Sequence, residues 1–200
     1  MGCSFDRIGI TIDKKENVKT FVDIFNKELK DDLYWPDNTY LSESDFEDEF
    51  GVFTASVEEE PLFAMMENGA QLIDVVHTYL EAVPDCKFSL WYECTFNNCG
   101  AIVYTTYEYA NHILTTVDKS SEDSYLDCCP ECDWSAYDDE DMEDEELCTI
   151  DNYDPEKEYI CPSCGAVLEW DVCIDTSIMH MINGKLVNVD VNEPEDESED

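Results

Sequence analysis

Two Cys-x-x-Cys motifs in the second half of the chain constrain its fold more than any other feature. The first is Cys129-Pro130-Glu131-Cys132, and the second is Cys161-Pro162-Ser163-Cys164, which Gly165 follows. A turn of this spacing directs two thiolates to one centre, and two such turns supply the four soft ligands of a tetrahedral zinc ion. Gly165 permits the positive φ that turns backbone amides towards the sulfurs. We therefore predict one structural zinc ion, bound by Cys129, Cys132, Cys161 and Cys164.

Other roles for these thiols are less consistent with the pattern. The chain has 11 cysteines, an odd number that argues against a closed disulfide framework. A redox Cys-x-x-Cys normally stands alone at the start of a helix, whereas here two motifs each precede a strand-like run. Cys128 could exchange with Cys129 as a ligand, and Cys148 or Cys173 could replace another. Four closed ligand positions leave no place for a substrate, so the metal would stabilise a small domain rather than catalyse a reaction.

The paired motifs resemble the knuckles of the zinc-ribbon family, with 28 residues inserted between them. The resemblance covers about residues 125–192. It implies a small β domain with a structural metal, and it implies no particular activity.

Hydrophobic periodicity predicts an α+β domain in residues 1–120. Strands are expected at 5–12, 50–57, 87–96 and 101–109, and helices from Asp13 to Lys30 and from Asn68 or Gly69 to Pro84. This order favours a sandwich with the helices on one face of a largely antiparallel sheet, and ferredoxin-like topology is one candidate. The acidic stretch 31–49 is predicted to be a loop.

A polar segment at 119–124 marks the predicted boundary with the second domain. Residues 121–192 would form the zinc ribbon, with an acidic insert at 138–146 and an acidic, disordered tail at 193–200. Strands are expected at 166–174, 179–182 and 185–189. Asn183-Gly184 between the last two is a strong hairpin signal.

Acidic residues dominate the charge of the chain. It has 50 Asp and Glu against 10 Lys and Arg, a formal charge of −40 over 200 residues. That charge equals the charge of about 20 base pairs of duplex DNA. Self-repulsion of this size destabilises a compact state, and long-range attraction of a basic partner is a function that would require it.

The same charge excludes several functions. Phosphate contacts need Lys and Arg, and the predicted ribbon has only Lys157 and Lys185, so direct nucleic-acid binding is disfavoured. The acids occur in runs without the enclosed pair that acid–base catalysis needs, so we expect no enzyme. No run of about 18 apolar residues and no signal peptide occur, so we expect a cytoplasmic protein without membrane contact, in a bacterial host cell if the chain is phage-encoded.

The remaining hypothesis is recognition of a basic partner protein. In composition and size the chain resembles the phage- and plasmid-encoded DNA mimics that block restriction enzymes or CRISPR nucleases. That resemblance implies an inhibitor that occupies the site of a nucleic-acid-binding enzyme. The alternative is a cytosolic zinc-ribbon adaptor or chaperone that docks basic proteins. Halophilic adaptation is disfavoured, because the acids are clustered and residues 61–120 carry only seven.

We predict that the partner contacts two acidic segments that aromatic residues flank. Their acids are Glu43, Asp45, Glu47, Asp48, Glu49, Asp138, Asp139, Glu140, Asp141, Glu143, Asp144, Glu145 and Glu146.

Overall fold

An eight-stranded antiparallel sheet with two helices against one face organises the part of the chain that the structure describes. The structure is a computed structural model that describes residues 3–30, 41–57, 70–96, 101–121, 129, 131–132, 134–135 and 149–188. It confirms the predicted α+β class with a mostly antiparallel sheet.

The elements follow one another with short connections over most of the described chain. In chain order they are β1 (Cys3–Ile12), α1 (Lys15–Lys30), a 3₁₀ turn (Glu43–Asp45), β2 (Glu47–Glu49), β3 (Val52–Val57), α2 (Ala70–Ala82), β4 (Phe88–Phe96), β5 (Ala101–Ala110), β6 (Ile113–Ser121), β7 (Tyr159–Ile160), β8 (Val167–Leu168), β9 (Cys173–Ile182) and β10 (Lys185–Asn188).

The first six helices and strands have the split β-α-β order of the ferredoxin-like topology. The large sheet has the strand order β10-β9-β6-β5-β4-β1-β3-β2, so β1 lies between β3 and β4. The connection through α1 passes from β1 to β2, and the connection through α2 passes from β3 to β4. Four further strands, β5, β6, β9 and β10, extend the sheet beyond β4 by antiparallel pairing.

The helices and one face of the sheet share a single apolar core. The alternating residues Ile8, Ile10 and Ile12 of β1 are at most 2% exposed, as their period of two predicts. Phe21 of α1 packs edge-to-face on Tyr79 of α2, with ring centroids 5.2 Å apart. The same core continues along β3, β4, β5 and β6. We call the sheet face opposite the helices the open face.

Two-residue turns with positive φ join three of the hairpins. Asn183-Gly184 connects β9 and β10 with φ values of 53° and 77°, which confirms the predicted turn. Asn111-His112 connects β5 and β6, and Phe50-Gly51 connects β2 and β3. Phe50 has a φ of 57°, a region that aromatic residues rarely adopt.

Several sequence predictions differ from the structure in the first 121 residues. Residues 47–49, predicted as loop, form β2, because the Phe50-Gly51 turn lets them pair with β3. Residues 119–121, which lie in the polar segment taken as the domain boundary, form the end of β6, which pairs with β5 along its whole length. The first helix was predicted to begin at Asp13, but α1 begins at Lys15, and the Asp13 Oδ2 accepts a 2.9 Å hydrogen bond from the backbone N–H of Lys87. Residues 31–40 lie outside the described residues.

The strands predicted within the ribbon divide between two sheets. Within 166–174, Val167–Leu168 forms β8, which pairs with β7, and β9 begins at Cys173. The predicted strands at 179–182 and 185–189 belong to β9 and β10, but β9 pairs with β6 of the large sheet. Residues 173–188 therefore continue the sheet of the first domain. The proposed division into separate domains stays a prediction.

Within the described residues, neither helix combines the length and the apolar character needed to cross a membrane.

The two faces of the sheet should respond differently to the same truncation. Ile10→Ala removes a side chain that is 2% exposed in the core, and we expect it to lower the free energy of unfolding by about 2–5 kcal/mol. Ile113→Ala is the matched control, because Ile113 is 37% exposed on the open face and should contribute less than about 1 kcal/mol. Urea unfolding of both variants measures this difference. Equal losses would contradict the assignment of faces.

Candidate metal centre and acidic edge

The four predicted cysteines converge on one centre. The sulfurs of Cys129, Cys132, Cys161 and Cys164 all lie within 4.8 Å of one another. The Sγ atoms of Cys129 and Cys164 are 3.7 Å apart, as are those of Cys132 and Cys161. A tetrahedral ion with metal–sulfur bonds of about 2.3 Å places its sulfurs about 3.8 Å apart. A disulfide would bring two sulfurs to about 2.05 Å. The cluster therefore fits one metal ion such as zinc.

The same backbone hydrogen bond closes both cysteine turns. The N–H of Cys129 donates to the carbonyl oxygen of Trp134 at 2.8 Å, and the N–H of Cys161 donates to that of Ala166 at 2.8 Å. In the second turn the N–H of Gly165 also donates to the Cys161 carbonyl oxygen, with a φ of 78° at the glycine. The antiparallel pair β7 and β8 holds this second turn at its end. Two equivalent loops thus present their sulfurs to one point.

Two thiols of this cluster have pKa values that are shifted in opposite directions. Burial raises the pKa of Cys161, but hydrogen bonds from the backbone N–H groups of Cys164 and Ser163 and from the thiols of Cys129 and Cys132 together lower the pKa to about 7. A hydrogen bond from the N–H of Ala166 lowers the pKa of Cys164, but the neighbouring sulfurs and burial raise the pKa to about 12. Several thiolates at this separation repel one another, and a bound cation removes that repulsion.

A second apolar core attaches the metal centre to the large sheet. We call residues 129, 131–132, 134–135 and 149–172 the cysteine lobe. Its buried residues Cys129, Cys161, Ile150, Leu168 and Trp170 pack together with Ile102 of β5. Because Ile102 lies on the open face, the lobe covers that face at one end.

Polar contacts reinforce this attachment. The indole Nε1 of Trp170 donates a 2.7 Å hydrogen bond to the Ser121 Oγ of β6. The Lys119 Nζ donates to the carbonyl oxygens of Asp151 and Tyr153 at 2.9 and 3.2 Å. The sequence did not single out these contacts as a site, although the apolar alternation along β6 could have extended the sheet to Ser121.

The described acidic segment includes β2, an edge strand of the large sheet, and we call residues 43–49 the acidic edge. All five of its predicted partner-binding acids are exposed, three of them on β2 and two in the 3₁₀ turn: Glu47, Asp48, Glu49, Glu43 and Asp45. The other predicted partner-binding acids, at 138–146, lie outside the described residues, as do Cys128 and Cys148. Cys173 is exposed at the start of β9 and is not part of the sulfur cluster.

Comparison of the chain with protein-family models, with curated proteins and with solved structures gives no match.

One metal ion per chain should be detectable by native mass spectrometry. Cys161→Ser should abolish binding, whereas Cys86→Ser should retain it, because Cys86 is buried in the main core away from the cluster. Free metal at about 1,000 times its dissociation constant should raise the free energy of unfolding by about 4 kcal/mol. A chain that carries no metal and whose unfolding does not respond to added metal would contradict the site.

Proposed function

We propose that this protein is an acidic nucleic-acid mimic. It binds a basic nucleic-acid-binding protein, such as a restriction or CRISPR nuclease, and blocks the site where that enzyme holds DNA or RNA. The observation that carries the proposal is the acidic edge, where five exposed carboxylates are held on regular structure. A fixed array of charges attracts a complementary surface without the entropic cost of ordering a loop.

The acidic edge is supported from the core side. Leu41 is buried, and its carbonyl oxygen accepts a 2.8 Å hydrogen bond from the Asn26 side chain of α1. Phe46 packs edge-to-face on Phe21, with centroids 6.3 Å apart. The side chain of Asp45 accepts hydrogen bonds from the backbone N–H and the hydroxyl of Ser42. These contacts hold the segment in place while its other carboxylates face solvent.

In the described part of the chain no lysine forms an ion pair with a carboxylate of this edge, although Lys19 of α1 lies near enough to Glu43 for a weak attraction. The lysine–carboxylate ion pairs found there join Lys19 to Asp23 and Lys27 to Glu28, both on α1. Both pairs lie at the surface, where ion pairs have small energetic value. Glu43, Glu47 and Glu49 therefore retain the negative field that a basic partner would recognise.

An exposed aromatic residue lies at the end of the acidic edge. Phe50 is fully exposed at the tip of the β2–β3 turn, next to Val52, which is 39% exposed. Asn or Gly is the usual residue at such a position, so folding alone does not explain a phenylalanine there. Large aromatic residues are frequent anchors at protein interfaces. The combination suits a partner surface in which basic side chains surround an apolar pocket.

The cysteine lobe has a structural role in this proposal. We infer that its ion is zinc and that residues 129–172 are a zinc-ribbon-like unit. Four thiolate ligands fill a tetrahedral zinc shell, which leaves no position for a substrate. The bound ion contributes to folding in a chain whose charge opposes it.

The identity of the partner can be sought by affinity capture. The tagged full-length chain would be incubated with a bacterial lysate, and retained proteins would be challenged with duplex DNA. The proposal expects retained nucleic-acid-binding enzymes that DNA displaces. Retention of ribosomal or other basic proteins that DNA does not displace would instead support the zinc-ribbon adaptor.

Neutralising the acidic edge should weaken partner binding at low salt. The edge variant replaces Glu43, Glu47 and Glu49 with Gln and Asp45 and Asp48 with Asn. We expect its association rate to fall by about tenfold or more and its salt dependence to flatten. The control variant removes the same charge from exposed acids elsewhere: Asp74, Glu81, Glu156, Glu158 and Asp175. Surface plasmon resonance at several salt concentrations compares the two, and equal effects would mean that net charge alone acts.

Phe50→Asn should change stability and binding in opposite directions. Asparagine accepts a φ of 57° more readily than phenylalanine, so we expect the free energy of unfolding to rise by about 0.5–1 kcal/mol. The loss of an aromatic anchor should lower the affinity for the captured partner by about tenfold or more. Thermal unfolding and calorimetric titration measure the two effects. An unchanged affinity would show that Phe50 is not part of the interface.

A further inference from the structure

A shallow cavity on the open face lies directly beside the acidic edge. It has a volume of about 450 Å³ and is lined mainly by β1, β2, β3 and β4. Its lining includes the indole of Trp91 and three exposed carboxylates, those of Asp45, Glu47 and Glu49. Small polar residues complete it: Thr11, Thr54 and Ser56. An aromatic wall and carboxylates in one cavity are the groups that bind an organic cation.

The indole of Trp91 is held against the sheet by its neighbours. Gly9 of β1 is the directly opposite residue, and a methyl group added at Gly9 would overlap the indole ring. On β5, Tyr104 stacks with Trp91 at a centroid distance of 6.0 Å and an interplanar angle of 29°. The glycine thus makes room for the indole to lie over the strand. The half-buried ring is a preformed wall of the cavity.

The two glutamates of β2 lie on the same face as the indole. Glu47 is opposite Thr54 and Glu49 is opposite Val52, while Thr54 is opposite Thr11 of β1. Directly opposite residues in an antiparallel pair share a face. The carboxylates therefore border the cavity from its edge, and the threonine hydroxyls line its floor.

We propose that this cavity receives an arginine side chain of the basic partner. This inference rests on the proposed function, since it names the group of the partner that the acidic edge selects. A guanidinium group is planar, stacks on indole and donates in a fork that matches carboxylates. Glu47 and Glu49 supply the acceptors for that fork, and Thr11, Thr54 and Ser56 offer further acceptors. Lysine carries a compact ammonium group that cannot stack in this way.

The full-length protein and a tri-arginine amide peptide provide the test. The indole N–H signal of Trp91 would be assigned by comparison with Trp91→Phe and followed by NMR during titration. We expect the Trp91 signal to shift with tri-arginine, and tri-lysine to bind about tenfold more weakly. An uncharged tri-citrulline peptide of the same shape should leave the signal in place.

Two variants locate the effect within the cavity. The double variant E47Q/E49Q should weaken tri-arginine binding by about tenfold. The double variant D74N/E81Q, which removes the same charge from α2, should leave binding within about twofold of the original. Gly9→Ala keeps every charge and the indole itself but displaces the ring, so it should also weaken binding. Its circular dichroism spectrum would show that the fold is retained.

Some outcomes would overturn the inference. Equal loss in the two double variants, or an unmoved Trp91 signal, would show that the peptide follows net charge rather than the cavity. The lysate could also yield a partner that DNA displaces and whose affinity is unchanged by E47Q/E49Q and by Gly9→Ala. That result would contradict the arginine site in the cavity but would support nucleic-acid mimicry. If tri-arginine binds as expected but no such partner is captured, the arginine site is supported and the proposed function as a nucleic-acid mimic is contradicted.

Discussion

Mutual repulsion among carboxylates opposes folding of this chain, and the other interactions in the structure have to offset it. A formal charge of −40 on 200 residues opposes compaction wherever acids are close together. In the fold, acidic side chains are almost entirely excluded from the interior. The main core is built from aliphatic and aromatic side chains of one sheet face and two helices. Among the acids whose side-chain burial the structure describes, only Glu93 is as little as 9% exposed.

In the cysteine lobe, too, apolar packing has to offset the repulsion among carboxylates. Among the described residues, its apolar core has six buried members, and one of them, Ile102, belongs to the large sheet. Small cores are commonly stabilised by a metal or another cross-link. The lobe gains stability from its contact with β5 and β6 and, in our proposal, from a zinc ion that joins its two cysteine turns. Lys119, one of only ten basic residues, is used here to bind two lobe carbonyl oxygens.

Local patterns predicted much of this arrangement, and long-range pairing explains most of what they missed. The alternation of Ile8, Ile10 and Ile12 predicted β1, and the spacing of the four cysteines predicted their convergence. The Phe50-Gly51 turn lacks the usual Asn-Gly signal, so β2 was not recognised. The pairing of β6 with β9 links residues more than 50 positions apart, and no local pattern encodes such a contact. The cavity beside Trp91 was also beyond prediction, because it requires four strands to be aligned.

The acidic edge, Phe50 and the Trp91 cavity form one continuous region at the β2 end of the sheet, whereas the cysteine lobe covers the open face near β5 and β6. We therefore assign recognition to the β2 edge of the sheet and stabilisation to the cysteine lobe. The structure of the complex with its captured partner, determined by cryo-electron microscopy or crystallography, tests this directly. We predict that the β2 edge lies inside the channel where the partner holds nucleic acid. A complex formed through the helices or the cysteine lobe, with that channel open, would contradict the account.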